Sequence, residues 1–104
     1  MADFSVTTER EADTAVLGLE GELDFATLGR LREAAEAALA DDAVTTLVLD
    51  LAALRFLDSS GLGLWVELHD RAARRGKSLQ LRAVPEPTRR VLELGGLASL
   101  FHIV

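Results

Sequence analysis

Leu47-Val48-Leu49-Asp50-Leu51 leads within a few residues into Phe56-Leu57-Asp58-Ser59-Ser60-Gly61-Leu62-Gly63. Within it and just before it, Thr45-Thr46-Leu47-Val48-Leu49 is β-branched and continuously apolar, which suits a central strand buried on both faces. A short link through Phe56 follows. Asp58, Ser59 and Ser60 then supply three helix-capping side chains in a row, and Gly61 to Arg75 reads as a helix. Only one of the three is needed to satisfy the first-turn amides, so the others keep free, exposed hydroxyls. A buried strand running into a capped helix is half of a parallel crossover unit. In open α/β sheets the carboxyl ends of such strands are where ligands and partners are met.

Working outward, the period of the apolar residues changes repeatedly on each side. Phe4, Val6 and Thr8 alternate with polar neighbours, Glu11-Ala12-Asp13-Thr14 breaks the run, and Ala15-Val16-Leu17-Gly18-Leu19 begins a second strand, giving an antiparallel pair. From Thr27 to Leu39, Leu28, Leu31, Ala35, Ala38 and Leu39 recur at helical spacing, with Asp24 or Thr27 as cap and Asp41-Asp42 as the close. Downstream, Arg74, Arg75 and Gly76 mark the end of the second helix. Leu79 and Leu81 form a short strand, Pro85-Glu86-Pro87 opens a third helix through Leu94, Gly95-Gly96 stops it, and Phe101 and Ile103 form a last strand. The expected fold is α/β: one domain over residues 1–104, with a mixed sheet of four to five strands and packed α-helices.

On the wheel of the second helix, Leu62, Leu64, Trp65, Val66, Leu68, Ala72 and Ala73 cover roughly two-thirds of the circumference. Gly63, Glu67, Asp70, Arg71 and Arg74 form the remaining polar stripe. That is more apolar face than a sheet requires. The surplus packs on a neighbouring helix or belongs to a protein-binding surface.

Composition narrows the function classes. A chain of 104 residues supports one core. Its formal net charge of −6 repels a nucleic-acid backbone, so no direct nucleic-acid contact is expected. There are 12 acids against three arginines up to Asp50, and five acids against eight bases from Leu51 onward. Neither half contains a block of five like charges, so the two halves are expected to interleave in one polarised domain. No cysteine is present to make a disulfide, a thiolate metal site or a thiol nucleophile. Met1-Ala2-Asp3-Phe4 carries no basic region ahead of an apolar stretch, and no run of 18 apolar residues occurs. The expected location is cytoplasmic, without membrane insertion.

Several chemical motifs are imitated and then fail. Gly76-Lys77-Ser78 resembles the end of a phosphate-binding loop, but Arg71 stands where its first glycine belongs, and the tripeptide follows a helix instead of opening one. Gly61 and Gly63 lack the third glycine of a dinucleotide fingerprint. Ser59 or Ser60 with Asp70 and His102 follows hydrolase order, yet the glycine two residues before the serine is replaced by Leu57 or Asp58. His69 and His102 are the only histidines, with no convergent carboxylates to complete a metal site. Trp65 is read as core. The chain is therefore expected to carry no catalysis, cofactor or metal.

The segment Phe56 to Gly63, with Gly21-Glu22-Leu23-Asp24 upstream and Pro85-Glu86-Pro87-Thr88-Arg89-Arg90-Val91-Leu92-Glu93-Leu94-Gly95-Gly96-Leu97 downstream, closely resembles STAS domains, in particular bacterial anti-sigma factor antagonists. The resemblance spans nearly the whole chain. It implies a protein that binds an anti-sigma factor, itself a serine kinase, and so frees a sigma factor; phosphorylation by that kinase ends the binding and a serine phosphatase restores it. It also implies that Ser59 is the phosphoacceptor and that Asp24, Asp58, Ser60, Gly61, Leu62 and Gly63 line the contact surface. An alternative within the same resemblance is a STAS subunit of a membrane lipid-transport assembly, acting structurally. A small nucleotide hydrolase is disfavoured by the failed loop motif.

Overall fold

Strands alternating with helices long enough to cross over must place successive parallel strands side by side, and this chain does so without interruption. The computed structural model describes residues 3–104; Met1 and Ala2, the first two residues of the expected unit, lie outside them. The elements are β1 (Phe4–Glu11), β2 (Thr14–Leu23), α1 (Leu28–Ala40), β3 (Thr46–Leu57), α2 (Ser59–Arg74), β4 (Ser78–Arg82), α3 (Glu86–Leu94) and β5 (His102–Ile103). The sheet order is β1-β2-β3-β4-β5. Only β1 and β2 pair antiparallel; β2, β3, β4 and β5 run parallel.

Because each right-handed crossover advances one strand in the same direction, the helices are carried to one face of the sheet. Leu17, Leu19, Leu47, Leu49, Leu51, Leu79 and Leu81 point into that layer, where they meet Leu31 and Ala35 of α1 and Leu64, Trp65 and Leu68 of α2 in one buried cluster. The sequence pattern suggested a central strand buried on both faces. The second face has no helix: Val16 and Val48 are paired partners, buried there beside neighbouring strands but outside the main cluster, while Thr7, Glu20 and Ala52 on it are exposed. A two-layer domain with its strand order in sequence leaves one sheet face to solvent.

β3 is longer than expected. The anticipated link through Phe56 is strand, with Phe56 paired to Glu22 and Leu57 to Leu23. Irregular register after Gly18 and again after Gly21 breaks the side-chain alternation, which hid this extension from a period-two reading. α2 correspondingly starts at Ser59, two residues before the expected Gly61.

The surplus apolar surface of α2 is used mainly within the fold. Leu64, Trp65, Leu68 and Ala72 are buried, and Trp65 packs edge-on to Phe101 with ring centroids 6.4 Å apart. Its polar stripe faces α1, where Glu67 pairs with Arg32, and Arg71 with Glu36 at 2.7 Å. With Arg82 on Asp50 at 2.8 Å and Arg55 on Asp3, the acidic first half and basic second half interleave. Gly76-Lys77-Ser78 is a turn entering β4: Gly76 has φ +69, and the Lys77 ammonium donates to the carbonyls of Leu39 and Asp41 at the end of α1.

Gly21 is the point where β1, β2 and the entry to the site are tied together. Its φ of +102 disfavours an L side chain, and an added Cβ would lie 2.0 Å from the Asp3 carbonyl oxygen. That same oxygen accepts from Glu22 N–H at 2.8 Å, so the crossing cannot simply widen. Gly21→Ala is expected to lower unfolding stability by roughly 2 to 4 kcal/mol, read from the urea midpoint at unchanged m-value.

Candidate functional site

Parallel pairing carries β2 and β3 to the same end of the sheet, where Asp58 N–H donates to the Leu23 carbonyl at 3.3 Å. The turn after β2 and the start of α2 are thereby neighbours, although Asp24 and Asp58 are far apart in sequence. Asp24 Oδ1 accepts from Ala26 N–H at 3.0 Å and Thr27 N–H at 3.2 Å. The buried Thr27 hydroxyl donates to the Glu22 carbonyl at 2.9 Å and accepts from Asp24 N–H at 3.0 Å. Either residue was expected to cap α1. Neither does: Thr27 is the N-cap by position but makes no side-chain cap bond, because both residues spend their oxygens locking this turn.

At α2 the cap is Asp58. Its backbone is extended, at φ −103 and ψ −179, and Oδ1 accepts from Ser60 N–H at 2.9 Å and Gly61 N–H at 3.1 Å. The same oxygen accepts the Ser60 hydroxyl at 2.5 Å. The Ser60 hydroxyl is the largest cause holding the Asp58 carboxyl below its ordinary value; desolvation opposes it, and the amides of Gly61, Ser60 and Phe25 add to it. Three donors on a single oxygen make an ionised, strongly anchored cap.

Ser59 is the first residue of α2, and it is exposed, with no side-chain hydrogen bond among the described residues. Its neighbours differ from it and from one another. Ser60 is half-buried and held; Leu62 is half-buried; Gly63 is exposed with open space around it. Gly61 lies beneath this surface: a Cβ there would meet Leu57 Cδ1 at 2.5 Å and Leu23 Cγ at 3.1 Å, so its bare backbone serves close packing of α2 on the strand ends. Asp24, half-buried, lies across the strand pair from Asp58.

Phe25 was not singled out by sequence reasoning. It is 83% exposed, and its amide is one of the groups lowering the Asp58 carboxyl. An aromatic side chain between Asp24 and Ala26-Thr27 belongs to no helical or strand period, and that off-pattern position is the signal that could have drawn notice. On the other side of Leu57, Phe56 and Val91 are partly exposed and share a shallow cleft of about 150 Å³ with Arg55, Pro87 and Thr88.

The strand order has no reversal, so the switch-point crevice that holds small ligands in doubly wound sheets does not form at this end. Asp70 stands eleven residues along α2 from Ser59, about 16 Å away at helical rise, so the imitation of a hydrolase triad is not assembled. No group of three or more metal-ligating side chains that could hold an ion occurs among the described residues. No described helix is long and apolar enough to cross a membrane. What the geometry offers is a protruding, chemically simple hydroxyl on a surface that carries Phe25 and two carboxylates.

Residues 6–103 match the family described as "Mlab, STAS domain". The chain is 35% identical over 102 residues, 96% of its length and 80% of the relative's, to the anti-sigma-F factor antagonist RsfB of Mycobacterium tuberculosis. Its fold superposes with a TM-score of 0.86 on an anti-sigma factor antagonist from Mycobacterium paratuberculosis, at 29% identity over 97% of this chain and 85% of that one. It superposes with a TM-score of 0.75 on the Bacillus cell fate determinant SpoIIAA in its phosphorylated form, at 27% identity over 96% and 91% of the two chains.

Asp58, like Asp41 and Asp50, is held below the ordinary carboxylate value in the folded chain, so its contribution to stability is complete at neutral pH. It is lost as pH falls below the ordinary value near 3.9 and through the lowered one. Wild-type protein is expected to lose stability between pH 7 and pH 3 in urea titrations, and Asp58→Asn to lose less over the same interval. Asp58→Ala at pH 7 should cost about 0.5 to 2 kcal/mol as a lost cap.

Proposed function

The chain belongs to the STAS domain family, and from that premise we propose that it is an anti-sigma factor antagonist: a binding module that occupies an anti-sigma factor and so releases a sigma factor. The observation that carries the reading is the contrast between two adjacent serines. Ser59 is exposed and unbonded, whereas Ser60 is tied to Asp58. A purely structural subunit, such as a component of a lipid-transport assembly, has no use for a hydroxyl presented in this way. The relatives named as anti-sigma factor antagonists and the phosphorylated form of SpoIIAA support the same reading.

In this reading the anti-sigma factor is also a serine kinase with Ser59 as its substrate, and a serine phosphatase reverses the modification. Asp24, Phe25, Asp58, Leu62 and Gly63 form the contact surface, with Phe25 as its apolar anchor, and Gly61 supports it from below. The protein acts in the cytoplasm, without catalysis of its own and without touching nucleic acid or membrane.

The electrostatics suit a switch that spares the fold. A phosphate on Ser59 adds about −1.5 to −2 charges at the start of α2, where the helix dipole favours negative charge. The amides of Ser60 and Gly61 are already taken by Asp58, so the new group projects into solvent beside an existing carboxylate. Desolvating it against a surface shaped for a neutral hydroxyl costs about 1.5 to 3 kcal/mol, a ten- to more than hundredfold loss of affinity.

A tagged chain drawn from its native cell is expected to bring down an anti-sigma factor. In calorimetry against that protein, Ser59→Ala should bind as wild type does, and Ser59→Asp should bind at least tenfold more weakly with an unchanged unfolding curve. Phe25→Ala should also weaken binding, by roughly tenfold or more, without loss of stability. Undiminished binding of Ser59→Asp would refute the charge mechanism.

A further inference from the structure

The Asp58-Ser59-Ser60 sequence presents a kinase with two chemically identical hydroxyls one residue apart, and something must decide between them. We infer that Asp58 is the specificity-determining residue: by holding the Ser60 hydroxyl in the α2 cap, it leaves Ser59 as the only serine of the pair able to accept a phosphoryl group. The inference rests on the reading of Ser59 as a phosphoacceptor and concerns how that choice is made.

Transfer requires the serine Oγ to form a bond to the γ-phosphorus of ATP while the bond to the β-phosphate oxygen breaks and ADP leaves. The hydroxyl proton passes to a base of the kinase. The acceptor oxygen must therefore turn outward, meet phosphorus in line and give its proton to the enzyme. Ser59 meets these demands, being exposed and without a side-chain partner among the described residues. Ser60 meets none of them. Its hydroxyl points back along the chain to Asp58 Oδ1 at 2.5 Å, its amide is bound to the same oxygen at 2.9 Å, and the residue is half-buried.

Asp58 does not turn this contact into activation of Ser60. The carboxylate accepts from two amides as well as the hydroxyl and is thereby a weakened base, with its affinity for a proton reduced. A base that must also keep the helix capped cannot take the Ser60 proton without giving up hydrogen bonds to the Ser60 and Gly61 amides. The bond to Ser60 is consequently a restraint. The residues that favour helix formation at this point also designate the acceptor.

The test compares phosphate positions by peptide mass spectrometry in tagged chains recovered from the native cell. Wild type should carry phosphate on Ser59 alone, and Ser59→Ala should carry none on this segment. Asp58→Gly combined with Ser59→Ala removes the restraint while keeping a residue accepted at an N-cap at little cost, and should gain phosphate on Ser60. Asp58→Asn combined with Ser59→Ala retains an oxygen for the Ser60 hydroxyl and should remain unmodified, an outcome that loss of helix stability alone would not produce. Should glycine loosen the helix, as judged by thermal melting, Asp58→Ala with Ser59→Ala takes its place with the same expectation, since alanine offers no oxygen to the Ser60 hydroxyl. A folded Asp58→Gly, Ser59→Ala chain that still binds the anti-sigma factor in calorimetry, yet carries no phosphate on Ser60, overturns the inference while leaving the proposed function intact. Phosphate on Ser60 in the Ser59→Ala single variant overturns it equally. Wild-type protein without phosphate on Ser59 removes the proposed switch itself.

Discussion

The parallel pairing of β2 with β3 is the constraint from which the rest of the site follows. It brings Leu23 opposite Leu57 and lets Asp58 N–H reach the Leu23 carbonyl, so two segments more than thirty residues apart end at the same place. Only there can the Asp24 turn lie against the start of α2. The pairing holds its register through two irregularities, and Gly21 and Gly61 permit the close approaches that result, one against the backbone of Asp3 and one against the side chains of Leu57 and Leu23. Both glycines are buried, and neither presents chemistry to solvent.

This arrangement separates what holds the fold from the surface around Ser59. The core lies between one face of the sheet and the helices, centred on strand leucines and on Trp65. Ser59 is outside it, at the positive end of α2. Adding charge there neither empties a cavity nor buries an unpaired ion, the two routes by which a substitution usually unfolds a small domain. The proposed modification would thus alter the surface charge and leave the scaffold beneath it as it was. The one cap interaction near Ser59 is supplied by Asp58, which is already ionised and keeps the helix start in place whatever its neighbour carries.

The strand order has a functional corollary of its own. A sheet that reverses direction opens a crevice between oppositely turning loops, and enzymes of this architecture use that crevice. Here the strands advance in one direction, the helices share one face, and the segments after β2 and β3 meet through the Asp58 N–H bond to the Leu23 carbonyl. The result is an end that can be covered by another protein but does not enclose a small substrate. Phe25 stands exposed on that end.

Much of this was legible from local pattern. The β-branched run before Asp50, the helical spacing of α1 and α2, the cap-rich Asp58-Ser59-Ser60 and the glycine after Arg75 all act through near neighbours, so the chain alone determined the element order, the mixed sheet and an exposed serine at a helix start. It did not disclose that β3 continues through Phe56, because alternation is broken where the register slips. It also could not distinguish Asp24 from Thr27, or Asp58 from Ser60, as partners of particular amides. Those choices depend on which oxygen ends nearest which donor within a turn of two or three residues, where several side chains of the same capping type compete. Tertiary structure alone decided that Gly61 is buried against Leu23 and Leu57 and that the Asp24 turn, with Phe25 exposed on it, lies beside the start of α2, since both result from packing β2 and β3 side by side.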